Sequence, residues 1–459
     1  MEPFLAKSWK VSDDKLTYTL NLRDDVTWHD GKPFTSEDVK FTYEEMLAKI
    51  HPTLSLSFGK VLSSVETPDK YTVLVKLKNP FLPIERWIFG NKQFGTIQAK
   101  HLYEGTNILT NPYNTKPVGT GPFIFTEWVK GDHVTLVHNP NYWQKGKPYL
   151  EKVIMKFVGD SDARVRSFDT RDTDYLPNYS VPNQEYKRLM SLPDVTYDLH
   201  NEDCQGLYHF FMNMRRKYIE DINVRQAMAY ALNMDQIIQQ AFYGFGIPAV
   251  TTISPGLGAY HNPNVKPYPY DPDKANHILD QAGYAKGADG MRFKIEILAF
   301  VGLSAATKSA EIARENWKNV GIDTVVNIVD FGTLTVKGAA GEFDVLSHGV
   351  FSVADPSIGV RRLLDGRNIT KVWVSNLSGY QNPRIDQLWD LVEKESDFEK
   401  RKNEFWEMQE ILIKDLPLIT TVEPNVLAVW WNDFDLNGLM CGTHNAHYEG
   451  VWWNKGKIP

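Results

Sequence analysis

The chain has 459 residues, enough for two or three domains with sizeable cores, and its 42% apolar and 23% charged composition is that of an ordinary globular protein. A formal net charge of −7 argues against nucleic acid or an anionic membrane surface as the partner. No apolar run approaches the roughly 18 residues of a membrane helix, and the opening MEPFLAKSW has neither the basic start nor the apolar run of a secretion signal, which implies a cytosolic protein or a leader lying outside this chain. Two cysteines, Cys204 and Cys441, permit one disulfide and no disulfide framework.

The first segment is strand-rich. LTYTLNL (16–22) and YTVLVKL (71–77) alternate apolar and polar residues with the period of half-buried strands. Between them Trp28, His29, Asp30 and Gly31 signal a turn, and Thr35 to Asp38 opens a helix whose apolar face is Val39, Tyr43, Met46 and Leu47. Gly119, Gly121 and Pro122 form a second turn, followed by apolar alternation at Phe123, Phe125, Val134 and Leu136 about a polar turn at Lys130, Gly131 and Asp132. This predicts a β-hairpin. A strand and helix follow over 150–176, then a strand over 206–213 and a helical stretch over 222–242 whose Ala227, Met228, Ala231 and Leu232 read as core.

From about residue 270 the pattern alternates between helix and strand. Asp271 and Pro272 cap a helix with Ala275, Ile278, Leu279 and Ala282 on its buried stripe, ended by Gly283. Strands are expected at 293–298, 322–329 and 343–347, with a helix around Ile312 and Trp317 between the first two. Helices at 384–396 and 398–414, stopped by Pro417, lead to a returning strand over 419–431. That order is an α/β lobe.

As an enzyme the sequence is poor: it contains no G-x-S-x-G elbow, Walker loop, G-x-G-x-x-G after a strand, or H-E-x-x-H. The paired carboxylates Asp13–Asp14, Asp24–Asp25 and Asp160 with Asp162 fall in turns and read as solvated surface. The one metal-like spacing is Cys441-x-x-His444-x-x-His447 with Glu449 nearby. Thiolate and imidazole suit zinc or nickel, but three ligands in a Gly- and Asn-rich loop make an incomplete site. No cofactor is implied.

The segments LAKSWKVSDDKLTYTLNLRDDVTWHDGKPFTSEDVKFTYEEML and PVGTGPFIFTEWVKGDHVTLVHNPNYW resemble the extracellular solute-binding proteins, family 5, which deliver peptides, nickel complexes, opines or oligosaccharides to ABC importers. DINVRQAMAYALNMDQII, YDPDKANHILDQAGY, NPRIDQLWDLV and EILIKDLPLI are similar to further family segments in the family's order, so the resemblance spans nearly the whole chain. It implies an α/β, two-lobe periplasmic-binding-protein-like fold of class II, cluster C, with an extra β-rich subdomain. The implied division is 1–112 for that subdomain, 113–205 completed by 432–459 for lobe I, and 206–431 for lobe II. Cys204 and Cys441 both fall in the first lobe by this pattern, which allows them to pair. Family members carry a further segment before the point where this chain begins, including a strand and a loop of the ligand cleft.

The resemblance further implies a periplasmic or extracellular monomer that is not an enzyme, associated with the membrane through an ABC importer's subunits. It would capture a peptide-sized solute by hinge closure. Ligand-binding positions carried over are Tyr208, Phe331, Phe351, Asp355, Trp373, Tyr380 and Glu423; packing is the competing reading for Phe331 and Trp373, and helix capping for Asp355. Two departures stand out. The residues before Asp355-Pro356 read Ser352, Val353 and Ala354, without the aspartate that meets a peptide amine. The arginine that meets peptide carboxylates would fall near Gly338, with only Lys337 close by. Unpaired peptide ends in a closed cleft cost several kcal/mol, which shifts the expectation toward an oligosaccharide or a sugar conjugate such as an opine. The alternatives are an interaction or regulatory protein with a degenerate cleft and, further off, a glycoside-processing enzyme.

Overall fold

The computed structural model describes residues 3–51, 54–89, 95–200, 206–351, 355–373, 375–435 and 450–453. The chain forms two compact units, one of residues 1–159 with 430–459 and one of residues 160–429. The lobe boundary expected near 205 thus lies inside the second unit, which also takes in residues 160–200.

In the first unit a four-stranded antiparallel sheet runs in the order Ala6–Val11, Thr17–Leu22, Thr72–Leu77, Leu62–Asp69. Period-two alternation puts Tyr18, Leu20 and Leu22 on the same buried face as Val73, Val75 and Leu77. Thr35 precedes the helix Ser36–Phe41, as its polar cap requires, and Asp38 Oδ2 accepts from Thr35 N at 2.9 Å. The same buried carboxylate accepts from Lys100 N at 3.0 Å, so it ties a second segment to the helix start. The hairpin is Phe123–Val129 paired with His133–His138, turned by Gly131 at φ +80°, and Lys152–Lys156 adds a third strand. Gly119 and Gly121 have ordinary φ. His29 joins the two, accepting from Gly119 N at Nδ1 (3.2 Å) while its Nε2 pairs with Gly121 O at 3.0 Å.

The second unit carries a five-stranded mixed sheet in the order Ile322–Val329, Phe293–Phe300, Val345–Phe351, Gly206–Met212, Leu418–Thr420. The first three strands are parallel and the last two antiparallel to their neighbours. All seven residues of Gly206–Met212 are buried, because helices cover both faces of this sheet. Tyr208, Phe210 and Met212 pack with Ile295, Ile297 and Trp317 against the helices Ile222–Ala231, Pro272–Gln281 and Ser304–Asn319. On the opposite face Phe211, Leu298 and Leu346 pack with Leu334, Trp389 and Phe405 from the helices Phe331–Ala340, Pro383–Val392 and Phe398–Asp415.

Two expectations change in detail. The helical stretch 222–242 is two helices, Ile222–Ala231 and Met234–Ala241, since Leu232 turns extended and Asn233 caps a new start through Gln236 N. The returning strand over 419–431 is three short strands, Leu418–Thr420, Val422–Pro424 and Val426–Trp431, each joining a different sheet. Pro424 has no N–H for a continuous ladder. No helix among the described residues is long and apolar enough to cross a membrane.

Candidate functional site

The parallel strands of the second unit wind in two directions. The connection after Phe293–Phe300 places the helix Ser304–Asn319 on one face of the sheet, and that after Ile322–Val329 places Phe331–Ala340 on the other. Such a switch leaves a crevice at the carboxyl ends of the strands, where open α/β sheets receive ligands. Of the sequence-predicted residues, Phe331 and Trp373 lie on one side of this edge and Tyr208 on the other.

On one side lies an aromatic row. Phe331 is the first residue of its helix, whose N-cap Asp330 accepts from Thr333 N at 3.0 Å, and it remains 48% exposed. Its ring centroid is 5.4 Å from Phe300 and 6.1 Å, edge-on, from Trp373, which is in turn 5.2 Å from His348. His348 stands opposite His209 in the antiparallel ladder. Burial pushes the His348 imidazole down to about 4 and, with His348 beside it, His209 down to about 3, so both are neutral near pH 7. His209 Nδ1 pairs with Thr420 Oγ1 at 3.0 Å, whereas His348 Nδ1 is buried without a hydrogen-bond partner. Trp373 also explains Gly338: a Cβ there would come within 2.6 Å of the indole Cζ3.

On the other side is a small pocket of about 40 Å³, lined by Arg164, Tyr179, Tyr186, Tyr208, Leu303 and Pro424 among others. Gly302 and Ser304, both exposed, form its mouth, and the buried Tyr186 and Tyr208 its inner wall. Burial pushes the Tyr186 phenol up to about 12 and raises Tyr208 as well, so both stay protonated donors. Tyr186 Oη accepts from Leu427 N at 3.3 Å, and Arg164 Nε donates to Ser180 O at 2.8 Å.

Glu423, on the strand Val422–Pro424, is 1% exposed. Burial raises its pKa, tempered by the Ser254 hydroxyl, which itself accepts from Gly256 N at 3.0 Å. Its charge in turn helps to raise the phenol of Tyr179, after burial and the neighbouring Tyr208 and Tyr186.

Two candidates are committed elsewhere. Asp355 caps the short helix Pro356–Gly359 through Ser357 N at 2.9 Å, and both its oxygens accept from Arg401 Nη2, at 3.0 and 2.9 Å. Tyr380 is 1% exposed in the core, its hydroxyl bonded to Asp415 and its pKa raised by burial. Their polar atoms are taken by structural bonds, which removes both from the candidate ligand wall. Phe351 closes its strand opposite Gly206, but its side chain lies outside the described residues. So do Ser352, Val353, Ala354, Cys204, Cys441, His444, His447 and Glu449, and with them the disulfide and metal expectations. Among the described residues no group of three or more His, Cys, Asp or Glu gathers to hold a metal. Sequence reasoning missed Tyr179, Tyr186, Phe300 and His348. The first two come from a turn-rich segment with no periodic signal, and the last two sit in strands where they pass for core.

Comparison with known proteins gives a consistent placement. Heme-binding protein A of Haemophilus influenzae is 26% identical over 455 residues, covering 91% of this chain and 78% of its own. The structure of NikZ from Campylobacter jejuni in complex with Ni(L-His) superposes with a TM-score of 0.85 at 25% identity, covering 98% of this chain and 88% of that one. The periplasmic binding protein DppA from Helicobacter pylori in complex with peptide STSA gives a TM-score of 0.85 at 26% identity, covering 99% and 90%. These structural neighbours have the two-lobe fold of periplasmic binding proteins, with mixed α/β content, and this chain shares it. Residues 1–371 match the profile of bacterial extracellular solute-binding proteins, family 5 Middle, and the chain belongs to that family.

Proposed function

We propose that the chain is the solute-binding component of an ABC importer and captures a peptide-sized organic solute at the carboxyl edge of its five-stranded sheet. The observation that carries this reading is the convergence of the exposed Phe331 row and the tyrosine pocket on one strand edge. Aromatic faces supply affinity by burying the solute's apolar surface, and a few polar groups orient it. No bond is made or broken. Closure about a hinge would sequester the solute and present the closed form to the importer's membrane subunits, outside the cytoplasm. The division into a β-rich subdomain (1–112), lobe I (113–205 with 432–459) and lobe II (206–431) is the corresponding functional proposal.

Relatives bind heme, nickel–histidine and peptide, so the test is a thermal-unfolding panel of peptides, oligosaccharides, opine-like conjugates, heme, and nickel with and without histidine. A solute at a hundred times its Kd adds about 2.7 kcal/mol, expected to raise Tm by roughly 2–4 °C in domains of this size. A panel in which no solute moves Tm would sink the reading and favour an interaction protein on the same scaffold.

A further inference from the structure

The aromatic row ends on a polar group. His348 lies on the same face of its strand as Leu346 and Val350, which pack with Leu334 of the helix Phe331–Ala340. Its ring meets Trp373 at 5.2 Å between centroids and 66° between planes. Phe331 is exposed, and Phe300, Trp373 and His348 are each only partly buried, so all four members of the row keep some open surface. His348 Nδ1 is buried and has no hydrogen-bond partner; Nε2 has none either among the described residues, but it is not buried. A neutral imidazole carries one proton. On Nδ1 that proton would make an orphaned donor, which folded proteins rarely keep. On Nε2 it leaves Nδ1 a bare lone pair and turns a donor toward the open side. An imidazole that ligates a metal through Nε2 needs the opposite arrangement, with Nδ1–H held by an acceptor. No such acceptor stands beside Nδ1.

We propose that His348 donates a hydrogen bond from Nε2 to the solute, and that with Phe331 and Trp373 it forms a subsite for an aromatic ring bearing a neutral acceptor, a carbonyl, ether or hydroxyl oxygen. The inference rests on the capture reading above and deepens it by naming a chemical class. The rings of Phe331 and Trp373 receive an aromatic group edge-on or offset, and its burial between them supplies the affinity. The acceptor is neutral because the donor is neutral: burial holds the imidazole at about 4, so it carries no charge near pH 7. An uncharged donor does not replace the hydration of a carboxylate as a guanidinium would. Solutes that place a carboxylate or no acceptor at this end are therefore discriminated against. Two sources share this chemistry, an aromatic residue of a peptide with its amide carbonyl and an aryl glycoside with its glycosidic oxygen.

The test is isothermal titration calorimetry on the full chain with five probes. Acetyl-Ala-Phe-Ala-amide and phenyl maltoside carry the ring and a neutral acceptor, acetyl-trialanine-amide and maltotriose lack the ring, and 3-phenylpropionate carries the ring with a carboxylate. Three proteins are compared: the unsubstituted chain, His348→Phe, which keeps a flat ring and removes the donor, and His348→Gln, which keeps a neutral N–H. At least one of the first two probes should bind the unsubstituted chain about 10-fold more tightly than its ring-free counterpart and than 3-phenylpropionate, and the one that does names the source. His348→Phe should weaken that probe about 10-fold, and His348→Gln should recover part of the loss. Recovery in His348→Gln separates recognition from a packing role. Independently of any ligand, a long-range proton–nitrogen correlation on imidazole-labelled protein, with His348 assigned by its loss in His348→Phe, should show the Nε2–H tautomer. The Nδ1–H tautomer, equal affinity with and without the ring, a preference for 3-phenylpropionate, or unchanged affinity in His348→Phe overturns the inference. So does binding of heme or nickel–histidine that His348→Phe abolishes, since His348 would then be a metal ligand. Silence toward these five probes beside a shift elsewhere in the solute panel overturns it and leaves the capture reading standing. Silence throughout overturns both.

Discussion

Asp355 and Glu423 are both carboxylates of the second unit and both more than nine-tenths buried, yet their surroundings differ in kind. Asp355 accepts from Ser357 N, Ser357 Oγ and Arg401 Nη2, while beside Glu423 stands no arginine or lysine among the causes of its pKa shift, only burial and the Ser254 hydroxyl. Sequence position alone made the two look alike. The difference teaches that a buried carboxylate keeps its charge where the fold returns hydrogen bonds and a cation, and is driven toward its neutral form where it returns little.

The comparison is broken most directly by removing one partner. Arg401→Leu leaves Asp355 charged and unpaired, and should cost about 3–5 kcal/mol in urea denaturation at pH 7. A companion Asp355→Asn in the same chain should recover part of that loss. A loss below about 1 kcal/mol in the single variant would mean that the pair is dispensable and the contrast with Glu423 empty.

A second experiment uses proton linkage. Glu423 has its pKa raised above the ordinary 4.5, so between 4.5 and the folded-state value the native chain holds a proton that the unfolded chain has lost. Stability therefore falls as pH rises through this window, and Glu423→Gln should remove that fall. His348 and His209 act with the opposite sign. Their folded values of about 4 and about 3 lie below the ordinary 6.5, so their contribution is full above 6.5 and lost as pH drops toward 4. Each group contributes a slope of up to about 1.4 kcal/mol per pH unit. Denaturation at half-unit steps from pH 4.5 to 8 on Glu423→Gln and His348→Phe resolves the two; parallel profiles in all three proteins would show that neither group is desolvated as its geometry implies.

The smallest effect on stability is expected at Phe331. It is 48% exposed, so Phe331→Ala should shift unfolding by no more than about 0.5 kcal/mol. The same substitution should weaken any solute found in the thermal panel, because the exposed end of the aromatic row is lost. Large destabilisation with unchanged solute affinity would make this ring part of the core.

Much of the fold was legible because periodicity and capping agreed. Asp271 and Pro272 start their helix as read, the strand expected over 293–298 runs to Phe300, that over 322–329 stands as read, and helix Phe398–Asp415 ends just before Pro417. The site was legible only in part. Phe331 was visible through the family resemblance, which places an aromatic residue just after the strand Ile322–Val329. Asp355 and Tyr380 carried the right residue types, but their partners Arg401 and Asp415 lie 46 and 35 positions away, beyond any local pattern. The burial of Glu423 without a nearby cation is a property of everything around it, and no spacing in the sequence encodes it.

The contact between Gly338 and Trp373 constrains how this wall can evolve. An arginine at 338 would collide with the indole, since even a Cβ comes within 2.6 Å of it. Replacing Trp373 by a small residue first would leave a void beside Phe331 and His348. The two positions are therefore epistatic. A lineage exchanging one solute preference for another here needs both substitutions together, and a library that varies them one at a time will find neither.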